Sequence, residues 1–227
     1  MRFCNLVSVV SLTLVAPAAR ADPAAAGAQP AAPRAPTAQG SAPATPKTIL
    51  APIDLAAIPE RCKPLTKQAS APDLALAYST RIALASCMAE RAVAPLALCD
   101  CGASVMAIDA AVAPALALLD DVIASAEPAL QVIAEDTLGQ LHAGFAVRMR
   151  ATLPAVGPSA GADELALRDM RAKTLEAQLA PWHEAAMASF EHVVELAKAH
   201  PELARNAAAA TAIRDAEHRV AADVTTG

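Results

Sequence analysis

Four cysteines, Cys62, Cys87, Cys99 and Cys101, carry most of the chemical interest of this chain. The last two stand one residue apart in the stretch LALCDCGAS, residues 97–105. A fifth, Cys4, sits at the start of an apolar leader. An even number of remaining cysteines in an oxidising compartment points to two structural disulfides. A bridge between Cys99 and Cys101 would mean something else: a ring closed over a single residue is strained, and strain makes a disulfide oxidising. Metal ligation by the thiolates would need a reduced site and further ligands that the sequence does not place.

Three other patterns resemble sites and fail on context. Gly157 to Gly161, GPSAG, matches the G-x-S-x-G elbow of serine hydrolases around Ser159, but that elbow joins a strand to a helix. Here the segment lies between two helical stripes and reads as a plain loop. HEAAM, His183 to Met187, lacks the second imidazole of the H-E-x-x-H zinc motif. His183 and Met187 share a helix face and would suit copper, yet they also flank a core stripe, which is the simpler reading. Glu184, Glu191 and Glu195 read as a solvated face, and His200 as a partner for a helix C-terminus. Asp109, Asp120, Asp121, Glu135 and Asp136 lack the Glu-x-x-His pairs of a di-iron bundle and are expected on solvated faces. No Walker loop, dinucleotide fingerprint or C-x-x-C occurs. The sequence nominates no catalytic, cofactor-binding or metal-binding residue, and an enzyme is the less favoured class.

The compartment follows from MRFCNLVSVVSLTLVAPAARADP, a charged start, an apolar run and small residues in the order of a secretory signal peptide. Ala19-Arg20-Ala21 places cleavage between Ala21 and Asp22, and the run from Phe3 to Val15 is shorter than the roughly 20 residues a spanning helix needs. No later stretch reaches spanning length free of charges and prolines, so the mature chain is expected to hold no transmembrane segment. Arginine outnumbers lysine and alanine and proline abound, as in a GC-rich bacterial genome, which makes the periplasm or the exterior the expected location. Losing Arg2 and Arg20 takes the formal charge from −5 to −7. With that charge and only 2% aromatic residues, the phosphate-binding cations and stacking platforms of a nucleic-acid partner are missing.

Positioning the cysteines falls to helices. Residues 22–48, rich in alanine and proline and without larger aliphatics, read as a disordered leader, and ILAPIDLAAIPE after it as irregular chain docked on a domain covering 49–227. Five stripes with helical period follow. They are Leu74, Tyr78, Ile82, Ala85, Ala89 and Ala92; then Val105, Ile108, Val112, Leu116, Leu119, Ile123 and Ala126; then Leu130, Ala134, Leu138, Leu141, Phe145 and Met149. The fourth is Leu165, Ala172, Leu175, Leu179, Trp182, Ala186, Phe190, Val193 and Ala197, and the weaker fifth Leu203, Ala207, Ala210, Ile213, Val220 and Val224. Pro114 and Pro181 fall inside stripes, where a kink or break is expected.

Short connections make this an all-α, up-and-down antiparallel bundle of four to five helices. If the first two helices meet near residue 93, Cys87 and Cys99 are level on antiparallel neighbours, a geometry a disulfide spans. The expected pairing is Cys87 with Cys99 and Cys62 with Cys101. Its competitor pairs Cys62 with Cys99 and Cys87 with Cys101, and a Cys99–Cys101 bridge would replace the staple by a redox pair. The functional expectation is a secreted or periplasmic bundle with a structural or interaction role, its partner another envelope protein. The alternative is a thiol redox or copper-handling protein using Cys99 and Cys101. No cofactor is expected.

Overall fold

A computed structural model describes residues 50–226, and every regular element among them is helical, with no strand. The signal segment 1–21, the Ala21–Asp22 junction and the leader 22–48 lie outside the described residues. Ahead of the bundle the chain makes two 3-10 turns, Leu55–Ala57 and Glu60–Leu65, and one turn of helix, α1 (Thr66–Ala69). Asp73 then starts α2 (Leu74–Val93) by accepting the amides of Ala75 and Leu76 at 3.0 and 3.2 Å, donors that a helix start otherwise leaves unpaired. After α3 (Gly102–Ser125), Pro128 opens α4 (Pro128–Arg150) at a position where its missing N–H costs nothing. The long α5 (Ala162–Ala199) is followed by a 3-10 turn at Pro201–Arg205. Asn206 next caps α6 (Ala207–Thr226), its Oδ1 accepting from Ala208 and Ala209.

Side-chain pairs fix the directions. Arg81 of α2 binds Asp121 of α3, and Met88 shares a cavity wall with Pro114, so these helices are antiparallel. Residues 126–127 alone link α3 to α4, which forces the chain to reverse. Along α4 and α5, Glu135 meets His192 while Arg150 meets Glu176, and along α5 and α6, His183 meets Asp223 while Arg219 lies over Phe190. The chain therefore runs up and down through five long helices.

Two buried clusters hold these helices together. The larger joins α2, α3, α4 and the middle of α5 through Tyr78, Leu84, Ile108, Leu119, Phe145, Leu175 and Trp182, among others. The smaller joins Val132 of α4, Ala186, Phe190 and Val193 of α5, Leu203, and Ala209, Ala212 and Ala216 of α6. Of the last stripe, Leu203 is buried in this cluster and Ile213 and Val220 pack against it, whereas Ala207, expected inward, is exposed; the side chain of Val224 lies outside the described part. Four successive alanines, 207–210, leave the phase at the start of that helix undetermined by hydrophobicity, and the choice goes to the alanines that allow closest approach.

Three further expectations are corrected. Of the kink or break expected at Pro114 and Pro181, the break does not occur, and α3 and α5 each continue through their proline. Both rings are exposed, on faces where water can take the carbonyl that proline leaves unpaired. Leu165 heads its stripe in sequence but is 47% exposed, like every residue from Gly161 to Arg171. The contact of α4 with α5 ends at Arg150 and Glu176, so Leu165 stands about 16 Å further out along the helix, past that neighbour. Finally, Glu135 and Asp136 are buried and Asp121 half-buried instead of solvated. Asp121 owes its place to Arg81, itself 2% exposed, whose other donors reach the carbonyls of Ala69, at 3.1 Å, and Ala51. That guanidinium ties the entry segment to α2 and α3.

By length and composition α3 is the one helix among the described residues that could cross a membrane. Two of its three acids make specific contacts with other helices: Asp109 accepts the Trp182 indole N–H at 2.7 Å and Asp121 takes Arg81.

Candidate functional site

The cysteines pair differently from the expectation. Cys62 joins Cys87, with Cα atoms 5.9 Å apart, and Cys99 joins Cys101 across Asp100, with Cα atoms 5.3 Å apart. Neither Cys87–Cys99 nor Cys62–Cys101 forms, nor does the competing set. The expectation put Cys99 on the second helix, level with Cys87. In the structure α2 ends at Val93 and α3 starts only at Gly102, so both later cysteines lie in the connecting loop. Cys87 is met instead by the 3-10 turn that carries Cys62, packed on α2 and fully buried.

The loop is held at several points. Leu96 and Leu98 pack on the main core and alternate with exposed Ala97 and Cys99. Asp100 forms an ion pair with Arg171 of α5 at 3.7 Å. The Cys101 amide donates to the Cys99 carbonyl at 2.8 Å, and Cys101, in extended conformation, is the N-cap of α3. Gly102, the first helical residue, faces Gln178 of α5, whose amide would be 3.6 Å from any Cβ added there.

Ser104 completes the arrangement. It is 4% exposed, its amide donates to the Cys101 carbonyl at 3.0 Å, and its Oγ accepts the Cys99 amide at 2.8 Å. The same Oγ lies 3.2 Å from Cys99 Sγ and 3.8 Å from Cys101 Sγ. Bonded sulfurs carry no hydrogen, so the hydroxyl is the donor in these contacts. Cys99 is exposed, Cys101 is half-buried at the helix start, and one buried hydroxyl faces both.

A second concentration of polar groups lines a cleft of about 710 Å³ between α4, α5 and α6. His183, Met187, Asp215, His218, Arg219 and Asp223 lie there together with Phe190. The expected His183 and Met187 face is thus real, but His183 is engaged with Asp223 at 3.1 Å. Near it, burial pushes the Asp136 carboxyl up from 3.8 to about 6; Asp215 adds to this, and Arg219 and Gln140 oppose it. On the far side of α4, burial holds the His142 imidazole below its ordinary value against the pull of Asp109 and Asp120. Among the described residues no group of three or more His, Cys, Asp and Glu side chains forms a metal-ligating set.

Of the other singled-out residues, Gly157 to Ala160 lie in the loop before α5, with Ser159 exposed and no strand before it. Glu184, Glu191 and Glu195 are exposed, and His200 is the C-cap of α5, 3.1 Å from Glu202. Sequence reasoning passed over Ser104, although a serine three residues after Cys101 at a helix start was a usable signal, since side chains at that spacing share a turn. The Asp100–Arg171 pair, spanning 71 positions, had no local signal at all. No family model matches the chain, and neither a curated protein nor a solved structure matches it.

Proposed function

We propose that this chain is an exported helical-bundle protein, periplasmic or extracellular, whose Cys99–Cys101 pair exchanges disulfides with thiols of a partner polypeptide. One observation carries the reading: Cys62 and Cys87 take each other, which leaves Cys99 and Cys101 as a separate pair over one residue with Cys99 exposed. A structural staple joins distant segments and gains stability by closing a long loop. Cys62–Cys87 is of that kind, and Cys99–Cys101 closes almost no loop. Export is supported by the residue order of the first 21 positions and by two cysteine pairs at disulfide distance, since such bonds persist in oxidising compartments.

The exchange balances without a cofactor. A partner thiolate attacks Cys99 Sγ, the Cys99–Cys101 bond breaks, and Cys101 leaves as a thiolate at the start of α3, where the helix dipole favours negative charge. A second partner thiolate then attacks the mixed disulfide and expels Cys99, so two electrons pass to the chain and the partner is oxidised. The reverse sequence reduces a partner disulfide.

Graded reduction of the exported protein by a dithiol, with thiols mapped by alkylation and mass spectrometry, tests the proposal. Thiols should appear at Cys99 and Cys101 while Cys62–Cys87 stays closed and helicity is unchanged. Full reduction should then lower the Tm by about 5–10 °C, because the 25-residue separation of Cys62 and Cys87 corresponds to roughly 3 kcal/mol of loop restriction. A Cys99–Cys101 bond as resistant as Cys62–Cys87 would overturn it. A second reading, a structural or docking role towards another envelope protein, is favoured by Leu165, Leu167 and Met170, all exposed on the first turns of α5. Under that reading the thiol mapping shows both pairs inert.

A further inference from the structure

We infer that the Ser104 hydroxyl makes Cys99 the nucleophilic thiolate of the reduced chain, an assignment that rests on the exchange reading above. Ser104 Oγ lies 3.2 Å from the exposed sulfur. It is buried in the first turn of α3 and is held by the Cys99 amide, which donates to it at 2.8 Å. Neither anchor is a sulfur contact, so reduction breaks neither directly. Because Oγ already accepts that amide, its one hydrogen is free for sulfur, and a hydrogen bond given to the charged form favours that form.

Cys101 Sγ lies further from the same hydroxyl, at 3.8 Å. The single proton serves the nearer sulfur, and this direct hydrogen bond sets Cys99 against the pull that the start of α3 exerts on Cys101, so the two thiols divide their roles. The ion pair at this loop joins Asp100, next in the chain, to Arg171 of α5 at 3.7 Å. Their charges oppose one another beside Cys99, which leaves the hydroxyl as the local group favouring its thiolate. In the reducing direction, the Cys99 thiolate attacks a partner disulfide, forms the mixed disulfide and releases one partner thiolate. Cys101 then gives its proton to water and attacks Cys99 Sγ. The Cys99–Cys101 bond forms, the second partner thiolate leaves, and both released thiolates take up protons. Ser104 is therefore a positioning residue that acts through Cys99.

The test is alkylation of the full exported chain with iodoacetamide across pH, after Cys99–Cys101 has been reduced and with Cys62–Cys87 intact. In the parent, Cys99 should be modified before Cys101, with a midpoint below the ordinary thiol value of about 8.5. Ser104→Ala should raise the Cys99 midpoint by about one pH unit, a tenfold loss of thiolate near neutrality. Ser104→Thr, which keeps the hydroxyl, should restore it, with helicity and Tm recorded for both variants. Prior modification of Cys101 in the parent, an unchanged midpoint in Ser104→Ala, or a raised midpoint in Ser104→Thr would each overturn the assignment. The parent measurement needs no substitution, so its order and midpoint can overturn the assignment even where a variant fails to fold. A pair that cannot be reduced at all defeats the exchange reading itself, whereas a reducible pair with the wrong order or midpoint defeats only the role of Ser104.

Discussion

Ionising Asp136 puts a negative charge into a 7% exposed site beside Asp215, and Arg219 only partly compensates for it. In the unfolded chain the group titrates at 3.8, in the folded chain at about 6. Between those values the folded state binds the extra proton, so the stability linked to this residue is full below about pH 4 and is lost as pH rises through 6. Asp136→Asn should accordingly be more stable than the parent by about 1–3 kcal/mol at pH 7, with the gap closing towards pH 4. Urea unfolding of both proteins at the two pH values checks this; a gap that does not narrow on acidification would mean that burial does not perturb the carboxyl. The residue also shows what a sequence conceals. An acid on a helix is assigned to solvent unless a partner is visible; the partner of Asp121, Arg81, comes from another helix, as do the charges of Asp215 and Arg219 that act on Asp136 beside its own helix neighbour Gln140. The cysteines were legible as residues that matter, but their pairing depended on where α2 ends and α3 begins, and element ends are the least legible feature of a helical pattern.

The elements were the legible part, because leucines, isoleucines and aromatics recurring at helical period leave few alternatives. At the start of α6, where the pattern thins to alanine, Ala207 was misplaced while Ile213 and Val220 were placed correctly, and reach was lost where a helix outran its neighbours, at the start of α5. Between α4 and α5 the fit depends on the absence of a side chain. A Cβ on Gly139 would lie 2.6 Å from Cε1 and 2.8 Å from Cζ of Phe190, a ring that is 2% exposed and has little room to retreat. Gly139→Ala gains helix propensity of about 1 kcal/mol, yet overpacking a well-filled contact costs about 1–3 kcal/mol. The expected net result is a chain of equal or lower stability, where alanine for glycine within a helix usually raises it. Adding Phe190→Leu to Gly139→Ala should recover part of the loss. Thermal unfolding of the three proteins decides: a Tm raised by Gly139→Ala alone would show that the ring moves aside freely.

At the scale of the described molecule, α5 supplies several buried residues to each of the two buried clusters, Leu175, Leu179 and Trp182 to one and Ala186, Phe190 and Val193 to the other. The second cluster is closed on its outer side by Ala209, Ala212 and Ala216, which bury little area each. That asymmetry divides the molecule into parts of unequal permanence. Native-state hydrogen exchange should show α6 opening as a separate cooperative unit, below the free energy of global unfolding and with a small denaturant slope, while α2 to α4 exchange only through global unfolding. Equal protection in α6 and α3 would mark a single cooperative unit. If α6 does lift alone, Phe190, Ala186 and Val193 are uncovered together, a contiguous apolar surface of the kind that invites association. The loop of Cys99 and Cys101 belongs to the other cluster and keeps its shape through that event, so a chain clipped by a protease after residue 206 retains its sulfur chemistry while becoming prone to aggregate.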